Sequence, residues 1–457
     1  MNKYCECIVS KPVHKGLCIS HVDGKVIFIP KVIPGEKVSV EIIENKKKYS
    51  VGRLIEVILP SKSRISNIWV EGDEKKIGGM ELSHVAYKDQ LKWKTDVLHD
   101  CIRRIGGEKV WEQFCMLPPV LVRDVNNFNN NTSISKDNHL HWRTRMIFVC
   151  DNDGKLGMSK YHSNNIVHVD NMPLAAQEIL DTGILTENNP IKNKISPGDI
   201  VYCIVDSLNR VFFRINNNVY DSAGNIYNKK IYQKINVFDL EYEYEIDPSS
   251  FWQVHYKAPN ILVDCVLKAL SGTDFSAYSD FNPLSIKTNS IDDKSIISEK
   301  ISNKLKGKKI LELYSGSGLF TKPIADFIGE KGKVVSVEGN KIATLNAKEN
   351  LSDYKNFECL KASIDKNFIY KLSEKYGFFD CVLVDPSRSG CGTDVTRSIC
   401  EKISPEYFIY IACDISSLAR DLKVAISCGY KIEQFVCYDL FPHTYHVESV
   451  VLMSKAD

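Results

Sequence analysis

The sequence lacks any apolar run near the roughly 18 residues that a membrane-spanning helix needs, and its start, Met1-Asn2-Lys3-Tyr4-Cys5-Glu6, holds no apolar core of a secretory signal. A cytoplasmic protein is expected. Net charge is nearly absent as well: 59 basic residues stand against 57 acidic ones, so affinity for nucleic acid must come from local basic patches. Paired cysteines are missing too. The fifteen cysteines are odd in number and scattered singly, which fits a reducing compartment rather than a disulfide framework. Only Cys5 and Cys7 lie close together, and no second pair follows at zinc-like spacing, so no metal site is expected.

What is present is length and pattern. A chain of 457 residues exceeds one ordinary core and predicts two or three domains. Short strands are expected at Cys7–Val9, Gly16–His21, Lys25–Pro30, Lys37–Ile43 and Ser50–Val57, with turns at Asp23-Gly24 and Pro34-Gly35, which suggests a small all-β barrel. Its run Glu44 to Tyr49 projects Lys46, Lys47 and Lys48 beside a tyrosine, suited to phosphate and base contacts or equally to a solvated hairpin tip. Val85 to Ile105 has helical periodicity and stops at Gly106-Gly107. Asn126 to Asn138, with six asparagines, reads as an exposed loop. His141-Trp142-Arg143-Thr144-Arg145 opens an apolar strand, Met146 to Val149, and reads as an RNA contact or a solvated strand edge. Asp274 to Ser302 is polar and reads as an exposed connection or insertion.

The C-terminal part carries the clearest signal. A strand, Lys309 to Leu313, bears Glu312 near its end; the turn Ser315-Gly316-Ser317-Gly318 follows, then a helix, Leu319 to Ile328, and a second strand, Val334 to Val337, ended by Glu338. This βαβ unit predicts a parallel, doubly wound sheet. A dinucleotide site would want a third glycine, but Thr321 stands there. The pair Glu312 and Glu338 around Gly-x-Gly instead fits S-adenosylmethionine, which brings no pyrophosphate. A buried-type strand, Asp380 to Val384, leads into Asp385-Pro386-Ser387-Arg388-Ser389-Gly390, placing a carboxylate at a strand end where a helix cap would also fit. Cys413 follows the strand-like Tyr407 to Ala412, at the address where open α/β sheets present reactive groups. Alone, such a thiol is more often a small hydrophobe. Asp439 to Glu448 gathers His443, His446 and Glu448 before a final strand, Ser449 to Met453, as an acid/base cluster or a polar loop.

In this order the segments resemble the RNA uracil-5-methyltransferase family, in its branch with an N-terminal TRAM domain. The match includes Ile33-Pro34-Gly35-Glu36, Phe251-Trp252-Gln253, Leu311 to Phe320, Asp385 to Gly390, Tyr410 to Leu422 and Asp439 to Glu448. The resemblance implies an α/β protein in three parts: an OB-like TRAM barrel over 1–63, a central α+β RNA-binding domain over 64–245 with a helix against the catalytic domain, and a Rossmann-like class I methyltransferase domain over 246–457. It implies Cys413 as nucleophile, Glu448 as base and Asp385 either holding the uracil edge or positioning the nucleophile. Gln253, Glu312, Tyr314, Gly316, Gly318, Glu338 and Asp385 would hold S-adenosylmethionine. Lys46, Lys47, Lys48, Phe251 and Arg388 would touch RNA, ribosomal before transfer RNA because barrel-bearing members more often modify 23S rRNA, and the enzyme would act as a monomer. The rival readings are a tRNA enzyme and a decayed RNA-binding protein. Three departures stand out. Ser387 replaces a proline and should loosen its turn. Asp414-Ile415 replaces Asn-Pro after the nucleophile. The family's cluster-binding Cys-Gly-Gly-Cys reads Ile77-Gly78-Gly79-Met80, with Met172 where the resemblance puts the last ligand, so no iron-sulfur cluster held by four cysteines is expected.

Overall fold

A computed structural model describes residues 3–125, 139–161, 163–275 and 292–456. The asparagine-rich segment lies outside them. At the N-terminus, strands Tyr4–Ile8, Lys37–Asn45, Tyr49–Leu59, Lys25–Pro30, Leu17–Val22 and Lys11–Val13 pair in that order into one curled sheet. Alternation drives it: Ile27, Ile29, Val38 and Val40 turn inward and are fully buried. The strand Lys11–Val13 has no counterpart in the expected pattern, because three residues leave no period to read. Buried Glu36 accepts from the Ile33 amide at 2.8 Å and from Arg64 at 2.5 and 2.7 Å, tying the Pro34-Gly35 turn to the chain that leaves the barrel.

The central sheet is antiparallel, ordered Ile166–His168, Leu156–Ser159, Arg145–Cys150, Ile200–Val205, Val211–Ile215 and Asn218–Asp221. Met80 and Met172 pack into its hydrophobic core with Ile77 and Trp69, a set of side chains that does not fit a cysteine-held cluster.

The C-terminal sheet has eight strands among the described residues: Phe357–Lys361, Lys333–Glu338, Lys309–Leu313, Cys381–Val384, Tyr407–Ala412, Glu448–Lys455, Tyr430–Asp439 and Val122–Asp124. The first five run parallel and Glu448–Lys455 runs against them. Lys309–Leu313, Lys333–Glu338, Cys381–Val384 and Tyr407–Ala412 are apolar along most of their length, which marks strands buried on both faces. Successive crossovers leave Lys309–Leu313 in opposite directions, so the sheet's switch point lies at the ends of Leu313 and Val384.

Two expectations need correction. The stretch 274–302, read as an exposed connection, runs into a helix, Asp292–Leu305, whose Ile301 and Leu305 are buried against the helix Ala258–Leu270 and the sheet; its sparse apolar residues, spaced among Ser, Asp and Lys, hid the period. A boundary at residue 245 also cuts through shared packing. Val122–Asp124 is an edge strand of the C-terminal sheet, and the hairpin Ile231–Val237/Leu240–Ile246 shares a core with it. The expected helix 85–105 is Tyr87–Cys101 followed by a wider turn to Gly106, and it packs on the helix Ile415–Ser427.

Candidate active site

The strand register assembles the site. Leu313 lies beside Val337 and Val384, so the next residues, Tyr314, Glu338 and Asp385, emerge together at the carboxyl edge. Ala412 pairs with Ser449 across the antiparallel contact; continued by one residue, that register sets Cys413 opposite Glu448. The charges acting on the half-buried Cys413 thiol are accordingly those of Glu448, Asp385, Arg388 and Asp414.

Burial dominates the electrostatics. It raises the Cys413 thiol well above its ordinary value, with Glu448 and Asp385 adding to the rise and Arg388 opposing it. Burial pushes Asp385 up to about 7. Burial, then the charge of Asp385, raises Glu448 well above the carboxylate range. Two neighbouring carboxyls in so dry a place keep at least one proton near neutral pH. His443 and His446 are driven down to about 3 by burial, so both are neutral. His443 is fully engaged besides: its ring faces Gln90 Nε2 at 3.0 Å and its amide donates to Gln90 Oε1 at 2.9 Å.

The glycine turn forms a second half of the site. Tyr314 and Gly316 take positive φ of 64° and 54°, and Gly318 lies at 90°, where a Cβ would stand 3.0 Å from Leu351 Cδ1. Glu338 accepts from the amides of Gly316 at 2.9 Å and Asn340 at 2.7 Å. Glu312 is buried; Thr321 donates to its Oε2 at 2.5 Å while Oε1 has no partner. Burial pushes it up to about 8, aided by Asp385 and Glu338. An acceptor without a donor, the orphaned Ser315 hydroxyl and open space above Gly316 fit a ligand that brings both hydrogen-bonding and positive groups.

Gln253 is buried with its Nε2 3.5 Å from Asp385 Oδ2, joining the Phe-x-Gln segment to the cluster. Phe251, two residues earlier, is 67% exposed. The turn Asp385 to Gly390 is tighter than Ser387 suggested: the Gly390 amide donates to Ser387 O at 2.8 Å and the Ser387 and Ser389 hydroxyls bond at 3.0 Å. A Cβ on Gly390 would meet Asp421 Oδ2 at 2.6 Å, so this glycine is required by close approach. Lys46, Lys47 and Lys48 sit exposed at a hairpin tip; Lys46 pairs with Glu44 at 3.0 Å and lies over the Tyr49 ring. They are not part of the cluster.

Three supporting residues escaped the sequence reading. Lys94 and Asp439, both with fully buried side chains, pair at 2.6 Å, and Lys94 also donates to Phe441 O at 3.0 Å. The signal was a lysine on the apolar stripe Leu91, Val97, Leu98. Asn346 donates to Ser250 Oγ at 2.8 Å and Ser317 Oγ at 3.3 Å, coupling the Phe251 segment to the glycine turn. An asparagine between Ala343 and Ala347 on a buried helix face was its mark.

With that geometry in view, residues 296–456 match the family model described as tRNA (Uracil-5-)-methyltransferase and residues 2–55 match the TRAM domain. Over that C-terminal region the chain resembles the RNA uracil-5-methyltransferases. An uncharacterised RNA methyltransferase of Bifidobacterium longum is 27% identical, over 98% of this chain and 96% of its own length. The 23S rRNA (uracil(1939)-C(5))-methyltransferase RlmD of Shewanella frigidimarina is 25% identical over 96% and 93%. The crystal structure of Pyrococcus abyssi tRNA (uracil-54, C5)-methyltransferase in complex with S-adenosyl-L-homocysteine is similar in fold, with a TM-score of 0.64 at 21% identity, covering 98% of this chain and all of that one. Among the described residues no helix is long and apolar enough to cross a membrane.

Proposed function

We infer that this enzyme methylates carbon 5 of a uridine in 23S rRNA through a covalent adduct on Cys413. The observation that carries the reading is the meeting of Cys413, Glu448 and Asp385 at adjoining strand ends, with Gln253 against Asp385. S-adenosylmethionine, when bound, supplies an electrophilic methyl group. Gln253, Glu312, Tyr314, Gly316, Gly318 and Glu338 would hold it. Carbon 5 of uracil is a weak nucleophile, so the chain must first activate it: Cys413 gives up its thiol proton to solvent as its sulfur bonds to carbon 6, and the pair of the broken 5,6 double bond passes to carbon 5 and the carbon 4 carbonyl. After carbon 5 takes the methyl group, with S-adenosylhomocysteine as the leaving thioether, the Glu448 carboxylate removes the carbon 5 proton, the 5,6 double bond re-forms and the sulfur leaves from carbon 6. Asp385 orients the uracil edge. Arg388 beside the thiol offsets negative charge there, and exposed Phe251 offers a ring for a base taken out of its stack. Lys46 to Lys48 give sequence-independent grip on phosphate.

The ribosomal target is favoured by the full-length likeness to RlmD and by the barrel. The Pyrococcus abyssi fold supports transfer RNA as the second reading. Mass-spectrometric mapping of 5-methyluridine in both RNAs, comparing a deletion strain with its parent and with strains carrying Cys413→Ala or Glu448→Gln, tests it. The mark is expected to vanish from one 23S site in all three, and Glu448→Gln is expected to accumulate an RNA complex that survives denaturing gels. Loss of a tRNA mark instead overturns the ribosomal assignment; an active Cys413→Ala enzyme overturns the mechanism.

A further inference from the structure

The aspartate after the nucleophile departs from the family's asparagine, and the structure pairs that departure with a residue from the far end of the chain. Asp414 uses both oxygens: Oδ1 accepts the Ser417 amide at 2.9 Å, capping the helix Ile415–Ser427, and Oδ2 lies 3.0 Å from His14 Nε2. A carboxylate presents a separate acceptor oxygen to each of these partners, where an asparagine would present one oxygen and an NH2 group. The pair is largely shielded, with side chains 16% and 24% exposed, which restrains its geometry. Although burial opposes the charge, His14 and Ser417 hold the Asp414 carboxyl down to about 2.

His14 is itself held in place. It opens the barrel turn His14–Gly16, and its ring meets Tyr445 edge-on at 5.7 Å. A Cβ on Gly16 would stand 2.9 Å from Glu81 Cβ and 3.6 Å from Tyr445 Cβ, so the turn presses directly on the loop that leads to Glu448. Lys11 on the preceding strand pairs with Asp100 of the long helix at 2.5 Å. One barrel histidine therefore touches the residue after the thiol and a residue shortly before the base.

We propose that His14 is a positioning residue for the nucleophile: through Asp414 it fixes the turn that aims the Cys413 sulfur, linking barrel docking to catalytic competence. The proposal rests on Cys413 as the nucleophile. A neutral imidazole with its proton on Nε2 suffices for the bond, so no protonation event is needed.

The test is the first-order rate of covalent complex formation at saturating 5-fluorouridine-substituted ribosomal and transfer RNA transcripts, with RNA affinity and unfolding midpoint measured for each variant. His14→Ala is expected to slow the step about tenfold, a typical coupling for a close pair, while affinity and midpoint hold. His14→Gln, which keeps a donor at similar reach, is expected to recover most of the rate. In an Asp414→Ser background, which keeps a helix-capping oxygen but is too short to reach His14, His14→Ala is expected to have no further effect. An unchanged rate, a loss confined to affinity, no recovery by glutamine, or the same tenfold loss in the Asp414→Ser background each overturns the proposal. Adduct persisting in Cys413→Ala, or absent from the unaltered enzyme, overturns the nucleophile reading instead.

Discussion

Lys94→Met is expected to be among the most damaging single changes outside the reacting groups. Lys94 and Asp439 meet at 2.6 Å with fully buried side chains, and Asp439 Oδ2 has no partner at all. At an effective dielectric of about 20 their attraction is about 6 kcal/mol, most of it offset by desolvation; burial lowers the Lys94 pKa even against the pull of Asp439. The pair therefore adds little net stability while intact. Removing only the lysine leaves an uncompensated carboxylate in the core, a change that typically costs about 3–5 kcal/mol. Lys94 also holds Phe441 O, so the loop from Leu440 to Val447 that delivers Glu448 loses an anchor. Urea unfolding followed by tryptophan fluorescence measures the loss, with Trp93 in the same helix as a probe. The double variant Lys94→Met/Asp439→Leu removes the stranded charge and is expected to recover most of it. A Lys94→Met protein within about 1 kcal/mol of the parent, or a double variant as unstable as the single, refutes the reasoning.

Two further outcomes follow from the glycine turn. Glu312, raised to about 8 against an ordinary 4.5, binds its proton more tightly folded than unfolded, so its contribution to stability is complete below about pH 4.5 and is lost as pH rises through about 8. The ligand-free protein is expected to lose stability relative to Glu312→Gln between pH 5.5 and 8.5, by at most about 3 kcal/mol, and a urea midpoint difference that stays flat across that range refutes the burial argument. Gly318→Ala forces a side chain to φ 90° and against Leu351, at an expected cost of about 1–3 kcal/mol and a marked loss of affinity for S-adenosylhomocysteine by calorimetry; wild-type affinity would show that the turn yields.

The parallel sheet was legible because strands buried on both faces write themselves as apolar runs; Tyr407–Ala412 coincides with its expected span. The edge strand Val122–Asp124 was not legible, since its three residues join a sheet whose other strands begin almost 200 residues later. The strand ends carrying Tyr314, Glu338, Asp385 and Cys413 were readable from local pattern, but the register that sets Cys413 opposite Glu448 is a long-range fact. Lys94 was hidden for a related reason. A lysine on an apolar stripe announces a partner without naming it, and Asp439 lies far away in sequence. The link between His14 and Asp414 is of the same kind: the departure at 414 was visible, and its reason lay at the other end of the chain.

The protons of the resting site argue for activation by the substrate. Burial raises the Cys413 thiol, Asp385 and Glu448 together, and the Arg388 cation only partly offsets the rise at the thiol. A thiol so placed is a poor nucleophile at neutral pH, and a protonated Glu448 is a poor base. Each charge becomes cheaper only when something else changes: the thiolate when it is consumed in a bond to carbon 6, and the Glu448 carboxylate once its neighbours are neutral. In the proposed reaction the enzyme therefore does not hold a standing thiolate. The uracil's own carbonyls, docked against Asp385 and Gln253, must take up the developing charge, which keeps the thiol quiet until a base is in place.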